Sequence, residues 1–315
     1  MKRNPIYKRE AMVSARSFRL ALVLMIFSGI LAVVALLNMY STLAQVRLTA
    51  EIQYTSFLDL FLFITILEFA MLVLIMPAIT AGSISGERER QTLELLMTTE
   101  LTPHEIVQGK LMGALSTMGL LVVSGFPILG IVFVYGGVTV PDIGLLILCY
   151  MVAALFMGSL GIACSAICRK TTMATVMTYA LLGFLVLGTY GINQFVWYLN
   201  GMRTDTYLTA VGQAAEQATS GGFLYLLLAN PASTFLLVIS GMTGREPITE
   251  AVTSWFGSRS QNWILTDWIG ISLLLQVVCA ALFFRVAVWA VRVRKTPARR
   301  KNRKKFTVAD DRKIE

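Results

Sequence analysis

Few side chains in this sequence are placed for covalent chemistry. Gly109-Lys110 approaches a phosphate-binding loop, in which backbone N–H groups cradle phosphates and a lysine reaches them. Leu111 stands where a Ser or Thr would hold Mg, and His104 rather than glycine lies five residues before Gly109. His104 is the single histidine, so neither a two-histidine protease helix nor a His-rich metal site can be built. Gly82-Ser-Ile-Ser-Gly86 has the glycine spacing of a nucleophile elbow, but Ile84 occupies the serine position. Cys164 and Cys168 share a helix face without further ligands. The chain is therefore expected not to be an enzyme and to bind no metal or cofactor itself.

The ionisable residue that stands out is Glu68, between Leu67 and Phe69 near the centre of an apolar run. Such a group faces a bundle interior, a partner or a water-filled path. It is a candidate for a substrate path, or for a helix contact in which it is protonated or hydrogen-bonded. Asn193 and Gln194, in the outer part of another apolar run, are the other candidates for a path or interface. With Gln276, they read first as bonds between helices.

The elements that position these residues follow from composition. The 315 residues are 56% hydrophobic and only 14% charged, with mean hydropathy +0.69, against roughly 25% charged in a soluble domain. That leaves too little polar surface for a water-facing globule and excludes a disordered chain. The chain reads as an all-α integral membrane protein. Crossing the hydrocarbon core takes roughly 20 apolar residues, and six runs qualify: Leu20–Tyr40, Phe57–Ile79, Leu111–Tyr135, Ile143–Ile167, Met173–Tyr198 and Trp268–Ala290. The first run is too long for a signal-peptide core and ends in no clear cleavage site, so it is expected to be retained. Another stretch, Phe223–Ser240, carries Asn230-Pro231 near its middle and reads as a span or as a re-entrant pair.

Charge decides the count. With six spans, 22 Lys and Arg fall on one side and four (Arg47, Arg203, Arg245, Arg259) on the other, while Arg285 snorkels from the last span. A seventh span would put the basic tail outside. Six spans with both termini in the cytoplasm are expected, in a multi-pass protein of the cell (inner or plasma) membrane. Tyr190, Trp197, Tyr198, Trp263, Trp268 and Trp289 are placed for interfacial belts. The tail Arg292–Lys313 suits anionic lipid headgroups rather than nucleic acid. Ala154, Gly158, Gly161 and Ser165 form a small-residue face on the fourth span, suited to close helix packing. The four cysteines lie in apolar runs and read as small buried hydrophobes.

The long loop 82–110 joins the second and third spans. Its first part reads as a helix leaving the membrane with Glu87, Arg88, Glu89 and Arg90 in water. An exposed knob of Leu93, Leu95, Leu96 and Met97 follows, as a protein-docking surface would need. In the second part Thr102 is an N-cap, Pro103 takes the first helical position and Glu105 closes a capping box, so a helix should run on into the third span.

The run Ser85-Gly-Glu-Arg-Glu-Arg-Gln-Thr-Leu-Glu-Leu-Leu-Met97, followed by Leu101-Thr-Pro-His-Glu-Ile-Val-Gln-Gly-Lys-Leu111, resembles the signature of ABC-2 type transporter permeases. The lead-in Asn4–Glu10, the turn Cys168-Arg169-Lys170-Thr171-Thr172 and Asn230-Pro231 match as well, while Gln91 and Glu100 depart from a small residue and a proline. The resemblance implies an elbow helix within 1–19, a six-helix domain over 20–290 with coupling loop 82–110 and outer segment 199–267, and a basic cytoplasmic tail over 291–315. It also implies a cytoplasmic coupling helix that sits in a groove of a separate ATPase, which binds the ATP and Mg. By carry-over Glu87, Arg88, Glu89, Thr92, Leu93, Glu94 and Leu96 are ATPase contacts, with Arg169 and Lys170 a second one. A second permease, identical or homologous, and export of an amphipathic or hydrophobic cargo complete the expectation. The alternatives are a non-transporting anchor or sensor that recruits an ATPase, and a gradient-driven carrier that uses Glu68.

Overall fold

The computed structural model describes residues 5–49, 55–93, 101–135, 138–211, 219–243 and 263–293, together with positions 250 and 252. Among them there is no strand. A lead-in helix, Pro5–Ala15, precedes the first span, Phe18–Thr49, and the second, Thr55–Ala81. A short helix, Ser85–Glu89, follows. The third span, Pro103–Tyr135, and the fourth, Val140–Ile167, are continuous helices. The fifth comprises Thr171–Gly183, a π turn at Phe184–Gly188 and Thr189–Val211, and the sixth is Trp268–Val293. Among the described residues six helices are long and apolar enough to cross a membrane.

Several local rules hold. Thr102 and Glu105 form the expected capping box: Glu105 accepts from the Thr102 amide at 2.8 Å, and the Glu105 amide donates to the Thr102 hydroxyl. The third span then starts at Pro103, eight residues before the apolar run, and its first two turns are already packed, with Ile106, Val107 and Lys110 buried. The first helix overshoots its apolar run as far as Thr49. Trp263 and Trp289 are exposed as a belt requires, but Trp268 is 1% exposed and stacks on Tyr225 beneath a neighbouring helix. It opens the sixth span as expected, but a 3₁₀ helix covers it, which span-length patterning does not reveal.

That cover belongs to the Asn230-Pro231 segment. Gly221–Ala229 is a 3₁₀ helix and Pro231–Met242 an α-helix, and the two meet at 92°. Asn230 sets the break, because its side chain accepts from the Ala232 amide while Pro231 supplies a first helical residue that needs no donor. The Asn230 amide also donates at 3.0 Å to the Val186 carbonyl, inside the π turn whose altered register calls for an outside partner. From the sixth span, Ser272 donates to the Leu228 carbonyl and Gln276 to Thr234 and Ser272. Gln276 thus bonds helices together, as its type and depth suggested.

The fourth span is the centre of the bundle. Gly158 and Gly161 face the second span closely: a Cβ on Gly161 would overlap the Thr80 hydroxyl and approach the Ala81 backbone nitrogen to 3.4 Å. The small-residue face is a packing face. By contrast the candidate windows of the first and fifth spans are each only 17% buried within this chain.

Candidate functional site

The short helix Ser85–Glu89 is tied on every side. Its first amides, of Ile84 and Ser85, both donate at 2.9 Å to the hydroxyl of Ser165, one turn along the fourth span from Gly161. Ser165 in turn donates to Ser85, and Ser85 to the Ala81 carbonyl. The orphan donors of a helix start are therefore satisfied by another span. Close packing at Gly161 brings that hydroxyl within reach.

Arg88 and Glu89 point away from each other into two helix ends. The Arg88 guanidinium donates to the carbonyls of Ala166 and Cys168, where the fourth span ends. Glu89 accepts from the amide and hydroxyl of Thr171 at 3.1 and 2.7 Å, where the fifth span begins. A cation meets the negative end of one helix dipole and a carboxylate the positive end of the next. One short helix thus clamps the turn between two spans.

Glu87 faces the opposite way. Lys110, 7% exposed, bridges it at 3.3 Å to Glu10 of the lead-in helix at 3.2 Å, and Thr92 donates to the Glu87 carbonyl. The lead-in helix approaches because the third span offers glycines at i and i+4. A Cβ on Gly109 would lie 2.8 Å from that of Ile6, and one on Gly113 2.9 Å from that of Glu10. The short helix ends at Gln91, whose φ of 58° is left-handed. This is the position after a C-cap, where glycine is favoured, and it explains why a small residue belongs where Gln91 stands.

These contacts revise the expected docking face. Glu87 and Arg88 are half-buried rather than free in water, and Glu89, although exposed, is engaged with Thr171. Leu93 is 8% exposed and joins the main core, so it is not part of an exposed knob. Glu94 and Leu96, with Leu95 and Met97, lie outside the described residues. What the junction presents outward is Arg90, Gln91 and Thr92, with Arg169 and Lys170 beside them on the clamped turn. The bonding partners Glu10, Lys110, Ser165 and Thr171 were not singled out for this role from sequence. The readable signal was Gly109-Lys-Leu-Met-Gly113, a small-xxx-small spacing.

Glu68, Asn193 and Gln194 do not form one lining. Glu68 is buried among the second, third and fourth spans, against Gly125. Asn193 is buried and donates to the Thr189 carbonyl of its own helix, while Gln194 is exposed. Among the described residues no three His, Cys, Asp or Glu side chains gather as a metal site would require.

Comparison with known proteins adds the family. No curated protein matches the chain. A sequence profile described as ABC-2 family transporter protein matches residues 4–290, from the lead-in helix through the last span. The chain belongs to the ABC-2 family of transporter proteins, and it is the multi-pass membrane permease of an ABC transporter.

Proposed function

We propose that this chain forms half of the transmembrane path of an ATP-driven exporter, and that a separate ATPase subunit docks on the junction built around Ser85–Glu89. The observation that carries this reading is the connectivity of that helix. It is bonded to the ends of the second, fourth and fifth spans and, through Lys110, to the third span and the lead-in helix. A push there cannot be absorbed locally; it moves four spans. ATP and Mg belong to the ATPase, which supplies the energy when its two copies close. The open faces of the first and fifth spans suit a second permease and surrounding lipid, and an amphipathic cargo fits a path between two such bundles. The lead-in helix lies along the inner surface of the cell membrane as an elbow.

The exposed part of the junction carries a basic excess, with Arg90, Arg169 and Lys170 against Glu89, which is engaged with Thr171. Its partner groove is therefore acidic. Reversing all three to glutamate breaks no hydrogen bond inside the bundle and costs only the attraction of Lys170 for the exposed Glu89, so the thermal midpoint of the permease should fall only slightly. The ATP hydrolysis that co-purifies with the chain should fall by about tenfold or more, since like charges across an interface cost well over the ~1.4 kcal/mol that a tenfold loss represents. Full retention of co-purifying ATPase by a folded triple variant refutes docking at this face.

A further inference from the structure

The coupling scheme leaves one buried ionisable group unused. Glu68 lies near the middle of the second span, 1% exposed, and neither carboxyl oxygen makes a hydrogen bond of good geometry, although the Tyr150 hydroxyl is close enough to interact. Room for it comes from the third span: Gly125 faces the carboxyl so closely that a Cβ there would overlap it. From the fourth span Tyr150 lies alongside, yet its hydroxyl donates at 2.9 Å to the Thr65 carbonyl and is committed. Next to it Phe69 and Tyr150 stack with Phe235 of the re-entrant helix, the first and last rings 4.0 Å apart.

Among the described residues no cation balances this carboxyl. The titratable group facing it from the fourth span is Tyr150, with Cys149 beside that tyrosine. On the fifth span the Tyr179 hydroxyl is taken up by the Leu74 carbonyl. Leu111–Tyr135 of the third span, Pro231–Met242 of the re-entrant helix and Leu20–Val46 of the first span contain no Asp, Glu, Lys, Arg or His. An ionised carboxylate in such a site costs several kcal/mol, whereas the neutral acid loses only the hydration of a polar group.

We propose that Glu68 is a proton-binding site that reports and biases the packing of the second span against the third: the packed bundle holds the neutral acid, and parting of the spans admits water and releases the proton to it. The O–H bond breaks heterolytically and the proton passes to solvent, so no other reactant is required. The inference stands on this bundle alone and holds whichever partner docks at the junction.

The test uses the purified chain in lipid vesicles, with two readouts. Infrared spectroscopy should show a neutral-acid carbonyl stretch at neutral pH that moves on ¹³C-glutamate labelling and is absent from Glu68→Gln. Spin labels at the exposed positions Leu74 and Leu120 should report the spacing of the two spans. One proton linked to packing means that the packed-to-open ratio falls about tenfold per pH unit above the transition. Glu68→Gln should remain packed at every pH. Absence of a neutral-acid band in the unmutated chain overturns the proposal whether or not the variant folds, and so does an unaltered pH response in a folded Glu68→Gln.

Discussion

Leucine in place of Gly161 is expected to destabilise the bundle by about 3 kcal/mol, at the upper end for overpacking. The added side chain meets Thr80 and the backbone of Ala81. Neither can yield: the Thr80 hydroxyl is bonded at 2.8 Å to the Met76 carbonyl, and Ala81 is the last residue of its helix. Gly158 is a useful control, because there the first obstacle is the flexible end of Met76, so Gly158→Ala should cost under about 1 kcal/mol after that methyl swings aside. Thermal unfolding of the purified chain measures both. The loss at Gly161 should also reach the junction, since Ser165 can cap Ile84 and Ser85 only while the two spans touch. An unfolding midpoint for Gly161→Leu equal to that of the unmutated chain contradicts the close contact.

Lys110→Met is expected to lower stability by about 2 kcal/mol. The replacement keeps most of the side-chain volume but leaves the carboxylates of Glu10 and Glu87 facing each other without their shared cation. Breaking a buried pair costs roughly 3–5 kcal/mol; the lower figure reflects Glu10, whose side chain is 34% exposed and already partly screened by water. The signature is non-additivity. Adding Glu10→Gln and Glu87→Gln to Lys110→Met removes the repulsion, so the triple variant should unfold at a higher temperature than the single one. A triple variant less stable than Lys110→Met would show that the three charges do not form one bridge.

Much of this architecture was legible because it rests on short-range or composition-level physics. Six spans follow from apolar length, the start of the third from Thr102, Pro103 and Glu105, and the packing face of the fourth from small residues at helical spacing. The break at Asn230-Pro231 was visible as an interruption, but its 92° bend was not, because the bend depends on Val186 and Ser272 reaching it from other spans. The contacts of the side chains at Ser85–Glu89 were not legible for the same reason. A run of alternating charges looks like a solvated face unless helix ends happen to lie within reach, and nothing local in Glu87–Glu89 says that Cys168, Thr171 and Lys110 converge there. Leu93 likewise looked exposed because Thr92 and Glu94 flank it, whereas it joins the main core.

The most direct measurement concerns which face of the membrane carries the junction. In a chain whose four native cysteines are replaced by alanine, a single cysteine is placed at Arg90 and, separately, at Lys170, both exposed and outside the internal bonds described above. A membrane-impermeant maleimide should label both positions only from the cytoplasmic face, in inverted vesicles, and docked ATPase should protect both. Labelling from the outer face of intact cells would place the junction where no ATPase can reach it and would contradict the coupling role.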